Sequence, residues 1–155
     1  MLSGGTRIAD PISGRTATLA EMSDALVGSW GGGPLLAPPI SAVLSHVGGR
    51  LEAAAVTGVV PRGVHTVYQA RSRNGRTLTV TGNHALLTPQ GYRPLDDLAP
   101  GVEVACQWGA ADIYWEKLVA IAPAGEEETF DLTVEPHHNF LAEGFVVQTI
   151  RRERM

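Results

Sequence analysis

The sequence predicts a single domain built mostly from β-strands. Glycine (18 residues) and proline (10 residues) interrupt the chain so frequently that short strands joined by turns are favoured over long helices. Between these residues, runs with alternating or β-branched side chains recur along the chain, as expected for strands. At 155 residues the chain has the length of one domain, and no linker divides it. We expect the domain to span 1–149, with 150–155 as a C-terminal flanking tail.

Turn-forming residues separate several of the predicted strands. Asn74-Gly75 lies between two such runs and predicts a tight hairpin, because both turn positions of the favoured hairpin turn need positive φ. The stretch "DPISGR" at 10–15 predicts a second hairpin turn. The predicted strands cover 6–9, 42–47, 52–60, 65–72, 76–82, 102–108, 112–123, 128–134 and 144–150.

Helix signals are few and short. Thr18 and Glu21 stand at the spacing of a capping box, which predicts that a helix over 18–26 begins there. The stretch "PLDDLAPG" at 94–101 has room for one helical turn at most. "GGGPLLAPP" at 31–39 is predicted to be a loop. One or two short helices are therefore expected in a mostly-β fold.

Composition excludes several classes of function. The net charge of -4 gives the chain no overall attraction to nucleic acid or anionic membranes. A single cysteine, Cys106, excludes an internal disulfide and a cysteine-based zinc site, and it is predicted to be a core thiol. No secretory signal and no run of about 20 apolar residues is present. We expect a cytoplasmic protein without a metal or cofactor.

A short internal repeat links two parts of the sequence. "HALLTPQGY" at 84–92 resembles "HNFLAEGF" at 138–145: each has a histidine, a leucine three residues later, then glycine and an aromatic residue. A strand with an aromatic residue precedes each histidine. The repeat predicts two related β subunits that each place a histidine at an equivalent point.

The residues that could carry chemistry are few. Thr81 and His84 are three residues apart at the end of a strand. Purely structural roles, as a strand threonine and a core histidine, would also explain their presence. Asp131 lies in an otherwise apolar strand and needs partners if it is buried. The adjacent His137 and His138 point to opposite faces of an extended segment, so no metal site is expected from the pair.

The sequence resembles the inteins, the protein-splicing modules of the Hint (hedgehog-intein) superfamily, and most closely the mini-inteins of replicative helicases. Three stretches carry the resemblance in the family's order over nearly the whole chain: "LSGGTRIADPISGR", "TGNHALLTPQGYRPLDDLAPGVEVA" and "IYWEKLVAIAPAGEEETFDLTVEPHHNFLAEGFVV". The segment between 106 and 113 is too short for the homing-endonuclease insertion of many inteins.

The resemblance implies a horseshoe of long, curved antiparallel strands with pseudo-two-fold symmetry. It also implies roles for particular residues: Thr81 and His84 match the pair that activates the N-terminal scissile amide, Asp131 matches an aspartate that coordinates the two cleavages, and His138 matches the downstream histidine. The implied partners are the chain's own flanking extein segments. Neither nucleic acid nor a membrane is expected, and the domain is expected to act as a monomer.

Three positions depart from the family pattern. Position 1, where the family has a cysteine or serine nucleophile, is Met1, whose thioether has no ionisable proton. The family's terminal His-Asn falls on Gln148 and Thr149, and Thr149 has no amide to cyclise. We therefore expect an inactive or trapped splicing domain, either substituted by design or naturally degenerate.

Two alternatives stay open at this stage. The intein could end at Gln148, whose side-chain amide would cyclise, with Thr149 as the downstream nucleophile. The chain could also be a non-catalytic β module that retains only the fold. An unrelated hydrolase is the weakest interpretation, because no nucleophile motif of that class is present.

Overall fold

Strands dominate the structure, a computed structural model that describes residues 1–29 and 40–149. The helical elements of that part of the chain are α1 (Leu19–Ser29) and one 3-10 turn (Leu95–Asp97), and neither is long and apolar enough to cross a membrane. The loop predicted at 31–39 and the tail at 150–155 lie outside the described residues. The strands are β1 (Leu2–Ser3), β2 (Arg7–Ala9), β3 (Thr16–Thr18), β4 (Ala42–Val47), β5 (Arg50–Ser72), β6 (Thr77–Val80), β7 (Ala85–Thr88), β8 (Gly91–Pro94), β9 (Glu103–Trp108), β10 (Asp112–Glu135), β11 (Asn139–Ala142) and β12 (Phe145–Gln148).

Two long strands, β5 and β10, form the centre of the fold. Leu118 lies opposite Ser72 and Glu135 lies opposite Ala55, so the two strands run in opposite directions over this stretch. The sequence pattern predicted two separate strands in place of each of them, and this prediction is wrong. Each strand continues through local irregularities: Gly63 and Gly125 adopt positive φ (80° and 84°), and repeated shifts in the ladder register accommodate the extra residues.

The structure contains two matched halves, as the internal repeat predicted. The β4–β5 and β9–β10 hairpins each lead into one of the two long strands. The β7–β8 and β11–β12 hairpins each have four-residue strands and a two-residue turn, and His84 and His138 immediately precede them. The mostly-β class and the pseudo-two-fold relationship are confirmed.

The capping box is also confirmed, and the Asn74-Gly75 hairpin is confirmed in part. The Thr18 hydroxyl accepts a hydrogen bond from the Glu21 backbone at 3.2 Å, and the Glu21 carboxylate accepts one from the Thr18 backbone at 3.1 Å. These reciprocal bonds begin α1 and satisfy two backbone donors. The hairpin between β5 and β6 forms, and Gly75 in its turn has a φ of 91°. Asn74 does not have a positive φ, so the prediction of positive φ at both turn positions is wrong.

The short strand β1 lies between β6 and β10 in the main sheet. Leu2 is fully buried there, opposite Val80 on β6 and Phe130 on β10, both of which are buried. Burial of a leucine-sized side chain stabilises the folded state by roughly 2 kcal/mol relative to exposure. The apolar contacts of Leu2 therefore anchor the start of the chain in the interior of the molecule.

Candidate functional site

The register of β1 against β6 brings residue 1 to Thr81. Because Leu2 lies opposite Val80 in an antiparallel pair, the preceding residue lies opposite the following one. The Thr81 backbone N–H donates to the Met1 carbonyl at 2.9 Å, and the Met1 amino group donates to Thr81 Oγ1 at 3.1 Å. The Thr81 hydroxyl in turn lies 2.6 Å from Asn83 Oδ1 and donates to it.

A tight turn after β6 directs His84 at the same nitrogen. The His84 backbone N–H donates to the Thr81 carbonyl at 3.1 Å, which closes the turn. His84 Nδ1 lies 2.8 Å from the Met1 nitrogen and accepts from the amino group, so the ring proton is assigned to Nε2. His84 Nε2 is buried and makes no hydrogen bond within the described residues.

The protonation state of His84 follows from its burial. The side chain is only 4% exposed. Burial, reinforced by the nearby positive charge of the amino group, lowers the pKa of His84 from 6.5 to about 3, while the backbone of Gln148 acts in the opposite direction. The ring is therefore neutral at pH 7, and it makes its hydrogen bonds as uncharged imidazole.

The register of β1 against β10 brings Asp131 to the other side of residue 1. Leu2 lies opposite Phe130, so Met1 lies beside Asp131, and the Met1 nitrogen is 3.6 Å from Asp131 Oδ1. The carboxylate is 3% exposed, and Arg62 Nε donates to its Oδ2 at 2.6 Å. Burial lowers the pKa of the Met1 amino group; Asp131 opposes this shift and Arg62 adds to it.

The C-terminal strand reaches the same place from a third direction. Val147 on β12 lies opposite Leu86 on β7, so the residues after Val147 run alongside His84. The backbone of Gln148 lies beside the His84 ring. Thr149 is buried, and its backbone N–H donates to the His138 carbonyl at 2.8 Å. The Gln148–Thr149 peptide is therefore held between two histidine residues.

His138 joins the site through its backbone. It has a φ of 55°, in the left-handed region, which turns the chain into β11. Its half-buried ring lies 3.9 Å from Glu135 Oε2, whereas the neighbouring His137 ring lies 3.5 Å from Glu52 Oε1. The two rings thus face different carboxylates, and no group of three or more potential ligand side chains in residues 1–29 and 40–149 could hold a metal ion.

Two residues at the site were not singled out from the sequence. Arg62 holds Asp131 as described above, and Thr129 Oγ1 lies 3.6 Å from the Met1 sulfur while donating to the Gly63 carbonyl at 3.0 Å. A charged residue within the apolar run "VVPRGVH" was the signal for Arg62. Cys106 is far less available: burial raises the pKa of its thiol to about 12, consistent with a core role.

The backbone nitrogen of residue 1 lies at the centre of the candidate site. A threonine hydroxyl, a neutral imidazole and a carboxylate surround it, and the C-terminal peptide lies on the far side of the imidazole. Peptide C–N bonds resist cleavage because of their resonance, and a group that donates a proton to the nitrogen lowers that resistance and protonates the departing amine. The arrangement is suited to breaking a backbone amide at residue 1.

Comparison of the sequence with known proteins finds similarity to short segments of much longer proteins. The chain is 44% identical over 52 residues to the replicative DNA helicase DnaB of Rhodothermus marinus, a match of 34% of this chain and 6% of the relative. It is 30% identical over 104 residues to the RecA protein of Mycobacterium tuberculosis, a match of 67% of this chain and 12% of the relative. The matches therefore span only a small part of these relatives, and no family model matches the chain.

Comparison of the structure with solved structures gives matches of full length. A mutant of a Ssp DnaB mini-intein variant has a TM-score of 0.81 and 30% identity, covering 99% of this chain and 94% of that one. The DnaB intein of Synechocystis sp. has a TM-score of 0.81 and 30% identity, covering 97% and 98%. The DnaX mini intein of Spirulina platensis, at 20% identity and a TM-score of 0.73, shares the fold.

Proposed function

Because the chain belongs to the mini-intein family and is a protein-splicing domain of the DnaB type, we propose that the site around residue 1 acts on the peptide bonds that join the domain to its flanking segments. The observation that carries this proposal is the pair of contacts at the nitrogen of residue 1, 2.8 Å from His84 Nδ1 and 3.1 Å from Thr81 Oγ1. When a segment precedes residue 1, this nitrogen belongs to the scissile amide.

The N-terminal step would be an acyl shift onto the side chain of residue 1. In a chain with cysteine at this position, the sulfur bonds to the preceding carbonyl carbon and the C–N bond breaks, which leaves a thioester and a free amine. The proton lost by the thiol reaches the departing nitrogen through His84, whose Nδ1 then accepts a hydrogen bond from the new amine. The contact between the Met1 amino group and Nδ1 has the geometry expected of that product.

The chain as written does not carry out either step of splicing in the ordinary way. Met1 offers a thioether without a proton, so no acyl shift begins. Thr149 stands where the family cyclises an asparagine, and it has no carboxamide. We therefore propose an assembled splicing site that is silent because its reacting residues are replaced. Its partners would be the flanking segments of the same chain, and a monomer suffices for such an intramolecular reaction.

Restoring the reacting residues tests this proposal. The variant Met1→Cys, Gln148→His, Thr149→Asn is placed between two reporter segments, and the products are identified by mass spectrometry. We expect spliced or singly cleaved products, and the same variant with His84→Ala added should lose the spliced product and the product of N-terminal cleavage. A restored precursor that stays intact even with added thiol would show that the chain is a non-catalytic module with this fold.

A second possibility is favoured by the contacts of the Gln148–Thr149 peptide. Its N–H bonds to the His138 carbonyl at 2.8 Å, and the backbone of Gln148 lies beside the His84 ring. If the domain ends at Gln148, the side-chain amide nitrogen attacks the Gln148 carbonyl, the bond to Thr149 breaks, and Thr149 takes up the proton as a free amine.

This alternative has its own measurement. A precursor with the unaltered Gln148–Thr149 sequence and a C-terminal reporter should slowly release a fragment that begins at Thr149. Gln148→Ala should abolish that release, because alanine has no amide to cyclise. Release that persists in Gln148→Ala would rule out cyclisation of this residue.

A further inference from the structure

Strand β5 has a bulge opposite the Asp131 region of β10. Pro61 lies opposite Phe130 and Gly63 lies opposite Thr129, which leaves Arg62 without a partner in the ladder. Gly63 has a φ of 80°, a conformation that favours glycine. Bulges of this kind redirect a side chain, and they are frequent beside active sites. Here the bulge makes Arg62 available to a residue on the neighbouring strand.

The two oxygens of the Asp131 carboxylate have different surroundings, because Arg62 binds only one of them. Nε of Arg62 donates to Oδ2 at 2.6 Å. The other oxygen, Oδ1, has no hydrogen bond within the described residues and lies 3.6 Å from the nitrogen of Met1. One oxygen is thus fixed to β5, and the other is directed at residue 1.

The burial of Asp131 restricts the orientation of its carboxylate. Asp131 is 3% exposed on its side chain, whereas Arg62 is 44% exposed. A buried carboxylate requires a partner, because an unpaired buried charge is strongly unfavourable. The backbone of Arg62 is fixed in turn by the His65 ring, whose Nε2 lies 2.8 Å from the Arg62 carbonyl. A different orientation of Asp131 would remove its bond to Arg62.

We propose that Arg62 is a positioning residue for the N-terminal cleavage: it holds Asp131 so that Oδ1 stays directed at the nitrogen of residue 1. This rests on the proposed function, since it concerns the same reacting nitrogen. Arg62 does not touch the reacting atoms and acts only through Asp131. Its effect on the rate should therefore depend on the presence of the carboxylate.

A double-mutant cycle tests this dependence. The reference is Met1→Cys with a preceding reporter, and the measured quantity is the rate of thiol-dependent release of that reporter. Three variants of this reference are compared with it: Arg62→Met, Asp131→Asn, and the double variant that carries both substitutions. Arg71→Met is the matched control, because Arg71 is an exposed arginine on the same strand, outside the site.

We expect Arg62→Met to slow release by about tenfold to a hundredfold, as for other losses of alignment. Asp131→Asn should slow it at least as much, and adding Arg62→Met to Asp131→Asn should cause no further loss. Arg71→Met should release at the reference rate. Arg62→Met alone could fail to fold because it leaves the Asp131 carboxylate unpaired. The double variant has no such carboxylate, so in that case a rate slower than that of Asp131→Asn alone would contradict the inference.

Three results would overturn the inference. Release from Arg62→Met at the reference rate would show that Asp131 needs no orientation by Arg62. Independent losses that multiply in the double variant would show that Arg62 acts through the stability of the fold and not through Asp131. An inert reference would contradict the proposed function together with this inference, whereas the first two results leave the proposed function intact.

Discussion

His84 Nδ1 lies 2.8 Å from the backbone nitrogen of Met1, although 83 positions separate the two residues in the chain. Strand pairing produces this contact: β1 is held against β6 by Leu2 and Val80, and the turn after β6 then directs the imidazole back at residue 1. The reacting position and the group that would assist it are therefore both parts of the folded core.

Burial of a neutral His84 should make stability depend on pH. The pKa of His84 is about 3 in the folded chain and 6.5 as its ordinary value, so between these values the unfolded chain binds a proton that the folded chain does not. The free energy of unfolding should therefore fall as the pH falls through this window, by about 1.4 kcal/mol for each pH unit. The contribution of His84 to stability is fully present above pH 6.5.

The variant His84→Gln isolates this effect. Urea unfolding at pH 7, 6, 5 and 4 should give a shallower dependence for the variant than for the unaltered chain, because glutamine does not titrate. Acidic groups affect both proteins alike, so the difference in slope reports on His84. Equal slopes would mean that His84 is accessible to protons in the folded chain.

Asp10 should be a main determinant of the stability of the first hairpin turn. Its carboxylate accepts backbone N–H bonds from Ile12 at 2.8 Å and Ser13 at 3.1 Å in the turn, and from Ser41 at 3.2 Å and Ala42 at 3.3 Å at the start of β4. Burial alone would raise the pKa of Asp10, but these four donors lower it below the usual value.

Asp10→Ala should lower the free energy of unfolding by about 1–3 kcal/mol, since it leaves buried N–H groups unpaired. The matched control is Asp112→Ala, at an exposed position at the start of β10, where little change is expected. The loss at Asp10 should shrink as the pH falls through the ordinary carboxyl range and below it, because protonation removes the charged acceptor from the unaltered chain. An effect that does not vary with pH would contradict this account of Asp10.

Asn139 should fix the C-terminal hairpin to the N-terminal half of the domain. Its Oδ1 accepts from the Ser45 hydroxyl at 3.1 Å and from the His46 backbone at 2.6 Å, and its Nδ2 donates to the His46 carbonyl at 3.1 Å. Asn139→Asp retains the acceptors and loses the two donors of the amide. It also places a charge where the side chain is 5% exposed.

Thermal or urea unfolding of Asn139→Asp at pH 7 should show a loss of about 1–3 kcal/mol in the free energy of unfolding. Gln90→Ala, at an exposed position in the β7–β8 turn, is the control and should change little. A stability equal to that of the unaltered chain would show that the Asn139 side chain contributes no net hydrogen-bond energy.

Local chemistry in the sequence was sufficient to predict the elements whose signals are local. The Thr18–Glu21 capping box forms as predicted because it depends on residues three positions apart. A hairpin also forms at Asn74-Gly75, although only Gly75 adopts the positive φ predicted for both turn residues. The β11–β12 hairpin carried a weaker signal. Its turn residues, Glu143 and Gly144, both have positive φ (51° and 86°), and glutamate is unusual in that conformation.

The placement of the site depends on long-range pairing, which composition and spacing do not reveal. Thr81 and Asp131 were candidates from the sequence itself, the family resemblance added Met1 and the expected roles, and strand register brings the three residues together. Arg62 was missed because its role arises from a bulge that only the pairing of β5 with β10 creates. The side chain of His138 was expected at the site, yet its backbone makes the contact there.

The most direct test of the central claim is the thiol-dependent release of a preceding reporter from Met1→Cys, measured with and without His84→Gln. If His84 serves the amide at residue 1, Met1→Cys releases the reporter, and adding His84→Gln slows the release by about a hundredfold or more. His46→Gln, on a ring whose hydrogen bond is to the Gly49 backbone in the β4–β5 turn, should release at the unaltered rate. Equal release with and without His84, or no release from Met1→Cys, would contradict the claim.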